Sequence, residues 1–274
     1  MSGLAADDPA LAPYRDARDA DLRGTHGLFL VESARCVARF LRACRHGAFE
    51  AVSVLAAPQH LPLLEPLALS ASCPLFQASL QDIAAWSGYR FHHGALALGR
   101  HTTGLPLPAL LSSQPAQASL VVADGVVHVD NIGSLLRNAA CLGATGVLLG
   151  PGCADPLGRK AIRISMGRVF GVPWASCTDL QGAITTVRAA GFRMTAIEQS
   201  DTALPLHAWR PASRSALLVG AEGRGLSPSL LAACDECVEI PSSPDPLAGE
   251  GDGLPSLNVA TASAIVLSEL RRHR

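Results

Sequence analysis

The sequence is poor in aromatic residues, in lysine and in net charge. Aromatic side chains make up 4% of its 274 residues, Lys160 is the only lysine, and the formal net charge is -1. Proteins that bind nucleic acid usually carry a basic surface, because phosphate contacts are made by cationic side chains. The composition therefore excludes a broadly basic surface, and any contact with nucleic acid must come from a local cluster of arginines.

Long apolar runs and a secretory signal are also missing. Neither end of the chain carries a hydrophobic stretch of membrane-spanning length. The segment from Met1 to Asp21 is acidic and rich in alanine, and it lacks a basic stretch followed by an apolar one. Hydrophobic residues still account for 49% of the sequence, which is enough to build sizeable cores. These features predict a globular cytoplasmic protein with no membrane partner.

Metal-binding patterns are scarce. The eight cysteines are scattered mostly through apolar segments, as small buried residues would be. Only Cys234 and Cys237 have the spacing of metal ligands, and no second pair and no His-x-x-x-His sequence accompanies them. A structural role is favoured over zinc or redox chemistry, and no metal site is predicted.

The first part of the chain predicts a small α/β domain. Residues 1–23 are polar, with a short exposed helix expected near 14–23, and the domain itself is expected over residues 24–100. An apolar strand at its start leads into a helix beginning at Glu32, whose carboxylate is expected to be solvated and to favour the helix start. Prolines, a glycine and a Ser-Ser-Gln run mark residues 101–118 as a linker.

From residue 119 to residue 274, short apolar strands alternate with helical segments of roughly 10–15 residues. Such alternation specifies a parallel sheet with helices on both faces. Ligands of these sheets bind beyond the carboxyl ends of the strands. The segments that follow the strands are therefore the places to look for chemistry.

One such segment is a glycine loop. An apolar run ends at Gly220 and is followed by Gly223 and Gly225, with the carboxylate of Glu222 between them. Glycines let backbone amides approach a ligand without Cβ atoms in the way. The alternative interpretation is a tight turn between a strand and a helix, since short glycine patterns are common.

Two further segments follow later in the chain. A second apolar run stops at Ile240-Pro241, where proline cannot continue a central strand. Ser256 and Asn258 then stand at the entry to the last helix, in the position of an N-terminal cap. The helical period predicts an inner face made of Leu257, Ala260, Thr261, Ala264, Ile265 and Ser268.

A polar pair follows the first strand of the second domain. Asn131 lies at a turn into a helix, and Arg137 lies less than two helical turns further on, so both can approach one cleft. An amide and a guanidinium there could hold a phosphate or a ribose hydroxyl. The alternative is a helix cap and an exposed arginine. A local basic cluster, which a solvated helix face explains equally well, is formed by Arg159, Lys160, Arg163 and Arg168.

The order of these segments resembles the SpoU (TrmH-like) branch of the SPOUT RNA methyltransferases. The resemblance spans roughly residues 119–272 and rests on three motifs: Asn131-x-Gly133 with Arg137 and Ala139, Gly220-x-Glu222-Gly223-x-Gly225, and Ile240-Pro241 followed by Ser256-Leu257-Asn258-Val259. It implies a catalytic domain, here 119–274, with a deep trefoil knot at its carboxyl end. The element order of residues 24–100 and the Phe29–Glu32 phrase resemble the L30e-like substrate-binding domain of several of these enzymes.

The resemblance implies transfer of a methyl group from S-adenosylmethionine to a ribose 2′-hydroxyl of RNA, in a homodimer whose active site is completed across the interface. Ribosomal RNA is favoured over transfer RNA because the additional amino-terminal domain suggests a structured target. The implied catalytic residues are Asn131, Arg137, Glu222, Ser256 and Asn258. The implied cofactor-binding residues are Gly220, Ala221, Gly225, Ile240 and Leu257.

The resemblance also assigns roles to individual residues. Arg137 would assist deprotonation of the hydroxyl or bind the adjacent phosphate, with Asn131 and Glu222 orienting it and the ribose. Ser256 and Asn258 would shape the knot and the hydroxyl site. An arginine is too basic to serve easily as a proton acceptor, so that role requires help from its surroundings.

The chain departs from the family pattern in two places. His128-Val129 stands where the family usually has Asp-Pro before the asparagine, and we interpret His128 as a replacement side chain rather than a general base, although its pKa range keeps the base reading open. The loop at 242–255 is longer than usual and rich in glycine, proline and acids, which predicts a mobile flap.

Two other functions compete with methyl transfer. A noncatalytic RNA-binding protein that kept the fold is suggested by His128-Val129 and by the low charge. An oxidoreductase that binds a dinucleotide at the glycines is disfavoured, because the glycines lie late in the domain and Ile240-Pro241 stands where an acidic residue would end the following strand. Binding of S-adenosylhomocysteine distinguishes an enzyme from a scaffold.

Overall fold

The computed structural model describes residues 8–15, 19–88, 94–200, 202–243 and 256–274. The chain divides into two compact units. The first comprises Met1–Thr102 and Asp155–Gly171, and the second comprises Thr103–Ala154 and Val172–Arg274. The observed division differs from the predicted one, because residues 155–171 group with the amino-terminal part of the chain.

The first unit is built on a mixed four-stranded sheet of order β1-β4-β2-β3. Its strands are β1 (Leu28–Glu32), β2 (Ala51–Ala56), β3 (Leu75–Gln77) and β4 (Ala95–Arg100). Strand β4 runs antiparallel to β1 and to β2, while β2 and β3 are parallel. Its amino-terminal helices are α1 (Asp19–His26), α2 (Ala34–Arg45), α3 (Leu61–Ser70) and α4 (Leu80–Ser87).

The segment 155–171 completes this unit. It forms helix α7 (Arg159–Ile164) and a 3-10 turn at Arg168–Phe170. The ring of Phe170 is 6% exposed. Its centroid lies 5.1 to 6.0 Å from the centroids of three rings of the same unit, those of Phe29, Phe40 and Phe49.

The position of α7 overturns the expectation that Glu32 is solvated. Glu32 ends β1 and is 2% exposed. Its Oε2 lies 3.3 Å from Nε of Arg159 and 3.7 Å from Nη1 of Arg163. The carboxylate tolerates burial because two guanidinium groups compensate its charge. Half of the predicted basic cluster is therefore paired with an acid inside the first unit.

The second unit contains a seven-stranded sheet of order β7-β6-β5-β10-β8-β11-β9. All neighbouring strands are parallel, which confirms the predicted α/β class. The strands are β5 (Ala118–Ala123), β6 (Gly146–Leu149), β7 (Trp174–Ser176), β8 (Arg193–Ile197), β9 (Leu204–Pro205), β10 (Arg214–Val219) and β11 (Glu236–Glu239). The helices are α5 (Leu107–Ser112), α6 (Val129–Leu142), α8 (Leu180–Ala189), α9 (Pro228–Ala232) and α10 (Val259–Arg272).

The predicted linker 101–118 contains helix α5. Pro106 precedes the helix and Pro108 lies in its first turn, where proline costs no intrahelical hydrogen bond. Leu110 is fully buried and Leu111 is 8% exposed, and both belong to the core of the second unit. The prolines therefore start a helix here rather than prevent one.

The inner face of α10 also differs from the prediction. Asn258 caps the helix, as expected, so Leu257 lies before it and is 45% exposed. The buried residues of the helix are Val259, Ala260, Ser263, Val266, Leu267 and Leu270. The predicted face shares only Ala260 with this buried stripe, and two of its members, Thr261 and Ser268, are exposed.

Across the ranges given above, no helix has both the length and the apolar character needed to cross a membrane.

Candidate active site

Three of the polar residues predicted from the motifs, Asn131, Glu222 and Asn258, meet at the carboxyl edge of the parallel sheet. Asn258 is the centre of the cluster. Its Nδ2 donates to Oδ1 of Asn131 at 2.8 Å and to Oε1 of Glu222 at 2.6 Å. Both hydrogens of the Asn258 amide are used in this way, which fixes its orientation.

The other end of the same amide caps α10. Oδ1 of Asn258 accepts hydrogen bonds from the backbone amides of Ala260 at 3.0 Å and Thr261 at 3.2 Å. An asparagine cap satisfies amides that the first helical turn leaves unpaired. Asn258 therefore joins the start of α10 to the glycine loop and, through Asn131, to α6.

The glycine loop is folded back on itself. The backbone amide of Gly225 donates to the carbonyl of Ala221 at 2.9 Å. A Cβ atom on Gly220 would lie 2.5 Å from the carbonyl carbon of Gly225, and Gly225 itself has a φ of 63°. Side chains at these two positions would open the loop, which explains why glycine occupies both.

Glu198 holds this loop from the neighbouring strand. It follows the last residue of β8, and its Oε2 accepts from the backbone amide of Leu226 at 2.9 Å. A Cβ atom on Gly225 would lie 2.5 Å from the same oxygen. The motifs do not contain Glu198, so the sequence interpretation missed it.

A pocket opens beside the loop. It has an empty volume of about 420 Å³. Its lining is Ile197, Glu198, Gln199, Ile240, Ser256, Leu257 and Ala262. Three residues predicted for the site, Ser256, Ile240 and Leu257, are thus brought together, although two of them were assigned to the cofactor and one to catalysis.

Arg137 lies apart from this network. It is exposed on α6, and no residue that the structure describes forms a hydrogen bond or ion pair with it. The implied orientation of Arg137 by Asn131 and Glu222 is not seen, because both of these side chains accept from Asn258 instead.

A second unpaired arginine lies on the glycine loop. Nη2 of Arg224 would be 3.2 Å from a Cβ atom placed on Gly125, so the guanidinium covers the loop that follows β5. Among the nine arginines of the second unit, all within the described ranges, only Arg137 and Arg224 make no hydrogen bond or ion pair with described residues. The other seven contact carboxylates, carbonyls or a hydroxyl.

Three further features singled out in the sequence are His128, the two cysteines with metal-ligand spacing and the loop at 242–255. His128 precedes α6 and makes no side-chain capping bond. Burial raises the pKa of Cys234 to about 12 and also raises the pKa of Cys237, so neither thiol is readily available as a thiolate ligand. Most of the predicted flap 242–255 lies outside the described residues.

A parallel sheet with a glycine loop and a polar cluster at its carboxyl edge defines an α/β protein, and in such proteins ligands bind beyond the strand ends. Residues 118–268 match the model of the SpoU rRNA Methylase family. The chain belongs to this family.

Relatives in sequence span most of the chain. An uncharacterized tRNA/rRNA methyltransferase of Mycobacterium bovis is 34% identical over 273 residues, covering 97% of this chain and 90% of the relative. A 23S rRNA (guanosine-2′-O-)-methyltransferase, RlmB, of a Burkholderia species is 33% identical over 209 residues, covering 76% of this chain and 81% of the relative.

Solved structures share the fold. The AdoMet-bound rRNA methyltransferase of Sinorhizobium meliloti superposes with a TM-score of 0.80 at 23% identity, covering 99% of this chain and 97% of the other. The SpoU methyltransferase AviRb of Streptomyces viridochromogenes, in complex with AdoMet, gives 0.77 at 21% identity, with 96% of each chain covered.

Proposed function

We propose that the protein is an RNA methyltransferase that transfers a methyl group from S-adenosylmethionine to a ribose 2′-hydroxyl, with ribosomal RNA as the favoured substrate. The observation that carries this proposal is the Asn131–Asn258–Glu222 cluster beside the pocket. Family membership supports the reaction type, and the similarity to a 23S rRNA (guanosine-2′-O-)-methyltransferase supports the ribose and the ribosomal substrate.

The pocket suits the donor. Ile197, Ile240 and Leu257 provide apolar surface for a purine ring. The glycine loop that contains Gly220, Ala221 and Gly225 is not part of the described pocket lining, but Glu198 of that lining accepts a hydrogen bond from the end of the loop. The loop therefore lies next to the pocket, which supports its assignment to the donor site. When bound, S-adenosylmethionine supplies an electrophilic methyl group.

The cluster orients the ribose hydroxyl that receives the methyl group. Because a ribose hydroxyl is a poor nucleophile, a side chain must be positioned to accept its hydrogen bond. Oε1 of Glu222 is occupied by Asn258, whereas Oε2 has no hydrogen-bond partner among the described residues. In the proposed reaction Glu222 Oε2 accepts the hydrogen bond of the hydroxyl and takes its proton as the hydroxyl oxygen gains the methyl group, and Asn131 keeps Asn258 and Glu222 in place.

The two unpaired arginines contact the RNA backbone. Guanidinium groups bind phosphate through paired hydrogen bonds, and neither Arg137 nor Arg224 is neutralised by a described acid. Arg137 holds the phosphate next to the reacting ribose. Its basicity makes this role more favourable than proton abstraction.

The knot and the homodimer belong to the same proposal. Strand β11 lies outside β8, yet α10, which follows it, packs on α6: Nδ2 of Asn138 donates to the carbonyl of Ala260 at 2.8 Å. The chain must therefore return across the sheet, which supports a trefoil knot in residues 214–274. A second copy would complete the site, and sedimentation equilibrium should give twice the monomer mass. We expect the enzyme to act in the cytoplasm.

Methyl transfer is tested directly. Purified protein is incubated with methyl-labelled S-adenosylmethionine and bulk RNA from a strain that lacks the gene, and the RNA is size-fractionated and digested to nucleosides. The proposal expects label in a 2′-O-methylnucleoside of the ribosomal fraction, strongly reduced by Arg137→Ala in a protein that still binds S-adenosylhomocysteine. Label in a base would overturn the ribose mechanism. Binding of RNA without donor binding or label would favour the noncatalytic alternative.

A further inference from the structure

Glu198 is the only charged residue among those that line the described pocket. It stands directly after β8, at the carboxyl edge of the sheet, and is partly exposed. The resemblance to the family motifs assigns it no role. A carboxylate in a pocket otherwise lined by apolar and neutral polar residues needs an explanation, because a charged group loses hydration there.

Holding the glycine loop uses only part of this carboxylate. Oε2 accepts from the amide of Leu226 at 2.9 Å, and Oε1 accepts from the amide of Gln199 at 3.3 Å, which is a long bond. An ionised carboxylate has about four acceptor positions. The two backbone amides leave room for two further donors from a ligand in the pocket.

The position of Glu198 in the sheet indicates which donors these are. The glycine loop follows β10, and β10 pairs in parallel with β8, which Glu198 follows. In parallel sheets that bind nucleotides, a glycine loop follows one strand and an acidic residue near the end of another binds the ribose hydroxyls. Here the strand that ends at the acidic residue precedes the glycine loop in the chain, whereas in the dinucleotide-binding pattern the acidic residue follows the glycines.

We propose that Glu198 binds the ribose diol of the methyl donor, with each carboxylate oxygen accepting a hydrogen bond from a donor hydroxyl in addition to its backbone amide. This inference rests on the proposed function, because it assumes a nucleoside donor in the pocket. Glu198 thereby selects ribonucleoside donors and ties their binding to the conformation of the loop that carries Glu222.

The test compares S-adenosylhomocysteine with its 2′-deoxy analogue by isothermal titration calorimetry. Both ligands lack the sulfonium charge, so the ratio of their Kd values reports the hydroxyl alone. The wild-type protein is expected to bind the ribose form at least about tenfold more tightly, as one hydrogen bond to a charged acceptor requires. Glu198→Ala reduces the ratio to about one, and Glu198→Gln to a few fold, because an amide oxygen is a weaker acceptor.

Glu239→Gln is the matched control, because Glu239 ends the adjacent strand β11 and does not line the pocket. The Glu239→Gln protein is expected to keep the wild-type ratio of the Kd values of the two ligands. Since Glu198→Ala could also disturb the loop, the Gln variant decides the outcome if the Ala variant binds neither ligand. A wild-type ratio in Glu198→Gln, with unchanged affinities, would overturn the inference and leave the methyltransferase assignment intact. Failure of the wild type to bind S-adenosylhomocysteine would overturn the proposed function itself.

Discussion

Single residues of the site were predictable where their position was tied to a motif. Asn258 was expected as a helix cap and is one, because a cap depends only on the next few residues of the chain. Its second set of bonds, to Asn131 and Glu222, depends on segments far apart in sequence and could only be suggested by the family resemblance. Glu198 was missed because no local pattern marks it.

The oxygen of the Asn258 amide caps α10, and its nitrogen donates to Asn131 and Glu222. Substitutions can therefore remove one of these roles and keep the other. Asn258→Asp keeps the oxygen that caps Ala260 and Thr261 but replaces the donor facing Glu222 with a second carboxylate oxygen. We expect near-normal thermal stability and a loss of methyl transfer of about 100-fold, as expected for a misplaced reacting group. Asn258→Ala should in addition lose about 1 kcal/mol of stability with the cap.

Thermal unfolding and single-turnover methylation measure the two effects. An Asn258→Asp protein that methylates RNA as fast as the wild type would show that the amide donor has no role in the site.

The unpaired Arg224 predicts a salt-dependent contact with RNA. Arg224→Ala should raise the KM for RNA about tenfold with little change in kcat, since one charge-assisted contact is lost. The slope of log Kd against log salt concentration should fall by about one. Arg188→Ala serves as the control, because Arg188 is paired with Asp235 at 2.7 Å. Equal salt slopes for the two variants would contradict a phosphate contact at Arg224.

Elements were predicted well where the apolar pattern alone decides them. The apolar strand expected at the start of the first domain is β1, and Ser33 caps α2 beside the predicted start. Helix α5 was missed because its prolines were interpreted as linker residues, although proline is compatible with a first helical turn. The buried face of α10 was misjudged because its first residue, and hence its phase, was set too early.

Local sequence patterns do not predict the contact of Glu32, at the end of β1, with the arginines of α7. This buried ion pair should contribute more to the free energy of unfolding than the exposed pair of Glu50 and Arg100. Glu32→Ala removes a buried carboxylate from Arg159 and Arg163 and should lower the free energy of unfolding of the first unit by about 3 kcal/mol. Glu50→Ala removes the pair with Arg100, whose side chains are 62% and 55% exposed, and should cost at most about 1 kcal/mol.

Urea unfolding of the full chain, with hydrogen exchange to assign the transition, checks this difference. Equal effects of the two substitutions would contradict the buried position of Glu32.

At the scale of the whole molecule, the class of the second unit's sheet followed from the order of its strands and helices. The parallel sheet of the second unit was predicted because helices separate its strands. The membership of residues 155–171 in the first unit was not, since it depends on tertiary contacts such as those of Phe170 with Phe29, Phe40 and Phe49. A domain boundary predicted from sequence divides the chain into continuous segments, whereas a compact unit can combine segments that are far apart in the chain.

This division predicts that a fragment comprising residues 103–274 is defective, although it contains every residue matched by the family model from 118 to 268. Phe170 would lose its three ring partners, and burial of one such side chain is worth about 1.5–3 kcal/mol. We expect the fragment to aggregate and to bind a hydrophobic dye, and Phe170→Ser in the fragment to reduce dye binding. A soluble fragment that unfolds cooperatively and binds no dye would contradict the division.

The chain passes between the two units three times, after residues 102, 154 and 171. The history of the gene is constrained by this connectivity. A domain attached by one joint can be gained, lost or exchanged by a single recombination event, but the first unit includes a stretch encoded inside the second. A different amino-terminal unit would not supply Phe29, Phe40 and Phe49, against which Phe170 packs, so exchange of that unit would require matching changes in residues 155–171.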